Sequence, residues 1–162
     1  MSPFRVGFGY DSHRFGGPER KLTLGGVEFP GETGLAGHSD ADVLIHAIID
    51  SLLGAAALGD IGSHFPDTDE KWAGADSAKL LEAVVAEVRA KGYEIGNIDA
   101  TVVCERPRLS PKIALMRQRL SEIAGIEFDA VSIKGKTNER MDDVGLGLGI
   151  EAHAVSLLVA AK

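Results

Sequence analysis

Asp40 to Gly59 reads DADVLIHAIIDSLLGAAALG, apolar at nearly every position except Asp42, His46 and Asp50, which recur every four residues. Four-residue spacing stacks side chains on one face of a helix. A helix apolar around most of its circumference has to be buried, so its polar stripe must face a lined cleft, a partner subunit or a paired network. Ser39 is the expected N-cap, with Asp42 three residues later as the capping-box acid and Gly59 as the terminator. His46 is then either a ligand in a cleft or a buried histidine held between two carboxylates.

Working outward, Phe4 to Tyr10 has the character of a first strand, and KLTLGGVEF (21–29) reads as a hairpin turning at Gly25-Gly26. Beyond the central helix, Ser77 to Lys91 places Leu80, Leu81, Val84, Val85 and Val88 on one face, with Gly92 as C-cap. Ile98 to Cys104 alternates as a half-buried strand. Ser110-Pro111 opens a third helix with Ile113, Met116, Leu120 and Ile123 inward and Gly125 at its end. Val131 to Lys136 is strand-like. The last segment, GLGLGIEAHAVSLLVAA, suits either state and is assigned as a strand on its early alternation. This order predicts an α+β fold: a two-layer sandwich of one mainly four-stranded sheet against helices, plus a small β-hairpin, in a single catalytic domain over residues 1–162.

Composition narrows the function. With a net charge of -7 the chain lacks the basic excess that a nucleic-acid or anionic-membrane surface needs. A single cysteine, Cys104, excludes an intramolecular disulfide, and no stretch reaches the length of a membrane span. MSPFRVGFGYDSHRF at the start contains no apolar core of a signal peptide, so the expected setting is the cytoplasm.

Asp11 and His13, two apart at the end of the first strand, project to one face and are metal-competent with His46 as third ligand. Asp and His without thiolate suit Zn²⁺ or Mn²⁺, and three protein ligands leave the open position of a catalytic site. His38-Ser39-Asp40 precedes the central helix, where free N–H groups favour an anion. After that helix come Asp60-Ile61-Gly62 and then SHFPDTD (63–69), too polar for packing alone. In SIKGKTNER, Lys134, Lys136, Thr137 and Glu139 offer groups for phosphate and for a second, harder ion. The same ligands would serve a metal-dependent phosphohydrolase, or a metal-stabilised binding module that catalyses nothing.

Taken together, GYDSHRF, GHSDADVLIHAIIDSLLGAAALGDIGSHFPDTD, GADS and KTNE, in this order, closely resemble the 2-C-methyl-D-erythritol 2,4-cyclodiphosphate synthase family over almost the whole chain. The resemblance implies a phosphorus–oxygen lyase of the non-mevalonate isoprenoid pathway. Its substrate would be 4-diphosphocytidyl-2-C-methyl-D-erythritol 2-phosphate, cyclised with loss of CMP. It implies Zn²⁺ on Asp11, His13 and His46, and a second Mg²⁺ or Mn²⁺ held with substrate by Glu139. His38, Thr137 and Glu139 would be catalytic. Asp11, His13, His38, Ser39, Asp60, Ile61, Gly62, Phe65, Pro66, Asp67, Thr68 and Asp69 would meet the methylerythritol and phosphates. Cys104, Glu105, Arg106, Pro107, Arg108, Leu109 and Ser110 would form the cytidine pocket, with Lys136, Thr137, Asn138 and Glu139 beside them; Cys104 lines it and is not a nucleophile. The resemblance also implies a homotrimer with each active site between neighbouring subunits. Two positions depart from the family pattern: Lys136 replaces the usual threonine, and Leu146 and Leu148 stand in a segment that tends to carry an arginine.

Overall fold

Two glycines in the first strand set how closely the rest of the chain packs. A Cβ at Gly7 would lie 1.8 Å from the Ser51 carbonyl oxygen, and one at Gly9 would lie 1.9 Å from that of Ala47. Only glycine allows this approach, and it seats the central helix against the strand backbone. The computed structural model describes residues 2–17 and 19–162. Its order is β1 (Phe4–Arg14), β2 (Lys21–Leu24), β3 (Val27–Thr33), α1 (Val43–Ala56), α2 (Ile61–His64), α3 (Ser77–Ala90), β4 (Tyr93–Val103), α4 (Ile113–Ala124), β5 (Val131–Lys136) and β6 (Gly149–Ala160).

The main sheet runs β1-β6-β4-β5, with β6 antiparallel to both neighbours and β5 parallel to β4. Strands β1, β4 and β5 therefore point the same way. Helices α1, α3 and α4 cover one face of this sheet, and β2-β3 form the separate hairpin. The expected layers and four-stranded sheet are observed, including the strand assigned to the last segment. The hairpin turns as expected at Gly25 and Gly26, both at positive φ.

Strands β1 and β3 run on past the expected Tyr10 and Phe29, to Arg14 and Thr33, and four further boundaries differ from expectation, each for a local reason. Helix α1 begins at Val43 because Ala41 adopts a left-handed φ of 57°, so Asp42 and not Ser39 is its N-cap. It ends at Ala57, also left-handed, two residues before Gly59. Strand β4 starts at Tyr93, five residues earlier than the alternation suggests, because a register shift between Ile95 and Asn97 breaks the pattern. The third helix has a single-turn 3₁₀ start over Ser110–Lys112 before α4 begins at Ile113.

The open face of the sheet is unusual for a solitary chain. On β1 the residues pointing away from α1 are Phe4, Val6, Phe8 and Tyr10, with Phe4 61%, Val6 68% and Phe8 63% exposed, and Val155 of β6 extends the patch. Contiguous apolar area of this kind is more than a scatter of single exposed residues. No helix among the described residues is long and apolar enough to cross a membrane.

Candidate metal centre and nucleotide cleft

In β1 the residues at odd positions face α1, so the period of two that places Gly7 and Gly9 under the helix carries Asp11 and His13 to its N-terminal half. There His46, closing the first turn of α1, meets them. Asp11 Oδ2 lies 2.8 Å from His13 Nε2 and 3.1 Å from His46 Nδ1, and the two imidazole nitrogens stand 3.4 Å apart. One ligand atom from each of the three residues falls within 4.8 Å of the others, as a shared ion requires.

The loop after β3 fixes the outer histidine. Ala36 N–H donates to the Arg14 carbonyl at 2.8 Å, laying the loop alongside β1. His13 Nδ1–H then donates to the Ala36 carbonyl at 2.9 Å. A carbonyl only accepts, so in the neutral ring the lone pair sits on Nε2, facing Asp11. Burial disfavours the imidazolium, but the hydrogen bond and charge of Asp11 outweigh it and raise the His13 pKa. Burial likewise pushes against the Asp11 anion, and its bonds to the two histidines overcome this, lowering its pKa to about 2. A carboxylate kept ionised between two imidazoles, in a wall open to a cleft, suits a borderline divalent cation.

The cleft, of about 360 Å³, is lined by Asp11, His13, Gly37, His38, Ser39, His46, Ile61, Gly62, Phe65, Asp67, Trp72 and Leu80. Arg20 holds its floor from behind, donating to the carbonyls of Gly37 at 3.1 Å and Ser39 at 2.8 Å. His38 Nε2–H donates to the Asp69 carbonyl at 3.2 Å. The far wall is α2, held to α1 by the Ile61 N–H, which donates to Asp50 Oδ1 at 2.7 Å. Asp60 faces away and caps α2 through Ser63. Asp69 similarly caps the 3₁₀ turn Glu70–Trp72, and neither Pro66 nor Thr68 reaches the cleft wall.

The stripe expected along α1 divides by function. His46 alone enters the metal cleft, and Asp50 braces α2. Asp42 is fully buried and accepts from Gly25 N–H, Gly26 N–H and Ile45 N–H, tying the hairpin turn to the helix start. Its carboxylate thereby caps the start of α1.

A second cleft, of about 380 Å³, lies where β4 and β5 end, lined by Cys104, Glu105, Pro107, Arg108, Leu109, Ser110, Ile113, Gly135, Lys136 and Thr137. Burial pushes the Cys104 thiol up to about 11, so it is a neutral wall residue at physiological pH. Arg106 points elsewhere, its guanidinium 5.6 Å from the Phe15 ring centroid. Glu139 and Asn138 line neither cleft; Thr137 Oγ1 donates to Glu139 Oε1 at 3.4 Å, and Asn138 Nδ2 to Asp142 Oδ2 at 2.8 Å.

Sequence reasoning missed Arg20, Gly37, Trp72 and Leu80 in the first site and Ile113 and Gly135 in the second. Trp72, which packs edge-on to Phe65 with centroids 4.9 Å apart, is the chain's one tryptophan, and its place beside a polar loop was the available signal.

The two clefts share no lining residue. The register aligns Asp11 with Ala152, Ala152 with Val102 and Val102 with Gly135, so they stand at opposite edges of the sheet. Three strand spacings separate the edges by about 14 Å.

Comparison with known proteins converges on one family. The YgbB family model matches residues 4–159. A relative from Trichlorobacter lovleyi, named 2-C-methyl-D-erythritol 2,4-cyclodiphosphate synthase, is 54% identical over 96% of this chain and 98% of its own length. One of the same name from Brachyspira hyodysenteriae is 56% identical over 98% of this chain and 99% of its own. Among solved structures, the Plasmodium falciparum IspF CDP complex superposes with a TM-score of 0.88 at 34% identity, covering 100% of this chain and 99% of that one. With the YgbB model matched almost end to end and relatives of one name at this identity, the chain belongs to the YgbB family, that of the 2-C-methyl-D-erythritol 2,4-cyclodiphosphate synthases.

Proposed function

We propose that the chain converts 4-diphosphocytidyl-2-C-methyl-D-erythritol 2-phosphate to 2-C-methyl-D-erythritol 2,4-cyclodiphosphate and CMP in the non-mevalonate isoprenoid pathway, as a phosphorus–oxygen lyase. The observation that carries this reading is the convergence of one carboxylate and two imidazoles in the wall of a cleft that could hold a phosphorylated polyol. An oxygen of the substrate's 2-phosphate forms a bond to the β-phosphorus. The bond from that phosphorus to the bridging oxygen breaks, and CMP leaves with the electron pair. A phosphate nucleophile is already ionised, so the protein's work is positioning and charge neutralisation and not proton removal.

Asp11, His13 and His46 would hold a divalent ion, Zn²⁺ by ligand type, which when bound withdraws charge from the β-phosphoryl oxygens. Glu139 would hold a second ion, Mg²⁺ or Mn²⁺, which would neutralise charge on the diphosphate. His38 and Thr137 donate hydrogen bonds to the charge that grows in the transition state. Ser39, Ile61, Gly62, Phe65 and Asp67 shape the methylerythritol side, with Asp60, Pro66, Thr68 and Asp69 holding that loop in form. Cys104 to Ser110, with Lys136 and Asn138, form the cytidine side.

A homotrimer with shared active sites is part of this reading. Two features support it: the apolar open face of β1 and β6, and the position of the clefts on opposite edges of one sheet. Packing the β5 edge of one copy near the β1 edge of the next would join the two halves. The chain's single cysteine, which leaves no disulfide within it, supports a cytoplasmic setting.

His46→Ala tests the ligand set. The variant should lose both bound zinc, read by elemental analysis, and CMP release. Full metal retention would contradict the assignment.

A further inference from the structure

His46 Nε2 faces two hydroxyls, Ser77 Oγ at 2.8 Å and Ser39 Oγ at 3.2 Å. A hydroxyl can donate or accept, so neither contact by itself decides which nitrogen of His46 carries the proton. The decision comes one bond further out. Ser77 Oγ–H donates to Asp40 Oδ1, and a carboxylate can only accept. With its proton spent there, Ser77 presents a lone pair to His46. Asp40 is itself fixed, taking the Ser77 N–H at 3.0 Å on Oδ2 and the Asp42 N–H at 3.1 Å on Oδ1. Backbone bonds from Asp40 N–H to the Ala75 carbonyl at 3.1 Å, and from Gly74 N–H to the His38 carbonyl at 2.8 Å, hold the two loops in register.

We propose that Ser77 and Asp40 are positioning residues for the metal centre: the chain Asp40–Ser77–His46 keeps the proton of His46 on Nε2 and so aims the Nδ1 lone pair at the point between Asp11 and His13. His13 achieves the same end with a backbone carbonyl. His46 needs the carboxylate because a lone serine would be free to reverse, donating to Nε2 and placing a proton on Nδ1, where the ion must sit. Ser39 does not replace the relay: its oxygen accepts the Ala41 N–H at 3.2 Å but its own proton can still turn either way, so it can donate to or accept from His46 and does not set the tautomer by itself. Partners of this kind orient a ligating imidazole and raise its basicity.

The inference rests on the ligand set above, and the test separates the two. Without the ion, Asp11 Oδ2 at 3.1 Å competes for a proton on Nδ1, so the relay is read with the ion in place: in zinc-loaded wild-type protein ¹⁵N NMR of labelled histidine should show the His46 proton on Nε2, and a proton on Nδ1 overturns the relay with no variant needed. Ser77→Ala should weaken Zn²⁺ binding in chelator competition by about 10–100-fold. Ser51→Ala removes a comparable buried hydroxyl from α1, one paired with Ser156 and not with His46, and should leave affinity unchanged. Unchanged affinity in Ser77→Ala, or an equal loss in Ser51→Ala, overturns the proposal. Wild-type protein that binds no zinc sinks the ligand set itself.

Discussion

His13 and His46 meet the same oxygen of Asp11, at 2.8 and 3.1 Å. His13 leans on Asp11, which holds its pKa above the ordinary 6.5. In metal-free protein the folded state therefore keeps the His13 proton to higher pH than the unfolded chain does. The stabilisation is complete below 6.5 and is lost as pH rises through the raised value. Asp11 acts at the other end of the scale, stabilising above 3.8 and losing that contribution as pH falls towards about 2. With its pKa held above 6.5, His13 carries a proton that an incoming cation has to displace. We expect zinc affinity, measured by calorimetry, to fall by up to about tenfold per pH unit below the His13 pKa, while the metal-free Tm rises slightly over the same interval. Affinity constant from pH 8 to 6 would show that His13 is not a ligand.

Elements bring these residues together through close backbone approach. His46 reaches Asp11 because α1 lies directly on Gly7 and Gly9, and a methyl at either position drives the helix outward. Gly9→Ala should cost about 3 kcal/mol or more, seen as a lowered denaturation midpoint. Its zinc affinity should fall with it, because His46 moves away from the strand; a destabilised variant with unchanged affinity would separate the two effects and count against this geometry. The same elements show what sequence could reveal. The all-round apolar character of 43–56 announced a buried helix, and every residue in it except Asp50 and Gly54 is buried. The period of two placed Asp11 and His13 on one face. Asp42 and Asp50 recur with His46 at helical spacing, but their partners are the backbone of the hairpin turn and of α2, contacts that no local pattern encodes. The helix start was misplaced because an alanine at positive φ leaves no trace in composition. Arg20 escaped notice for a similar reason: its acceptors are carbonyls seventeen and nineteen residues away.

For the whole molecule, the order of strands decides what one chain can do alone. Local alternation identifies β1, β4, β5 and β6 but does not say that β1 and β5 are the outer pair, and that arrangement is what sets the Asp11–His13–His46 cluster apart from the cleft at Cys104 to Ser110. If neighbouring copies complete each other's sites, two crippled chains should complement. His46→Ala removes a proposed metal ligand, and Arg108→Glu reverses a charge in the proposed cytidine cleft; each should be nearly inactive alone. Unfolded and refolded together in equal amounts, they should recover roughly a quarter of wild-type activity by random assortment within a closed ring. No recovery would place both halves of the site on one chain.

The most direct measurement is a ³¹P NMR spectrum of the products formed from 4-diphosphocytidyl-2-C-methyl-D-erythritol 2-phosphate with Zn²⁺ and Mg²⁺ present. The account predicts CMP and the paired resonances of a cyclic diphosphate in equal amounts, with no inorganic phosphate. CMP accompanied by a linear bisphosphate would mean that water is the nucleophile, and would contradict a site built to position one phosphate of the substrate against another.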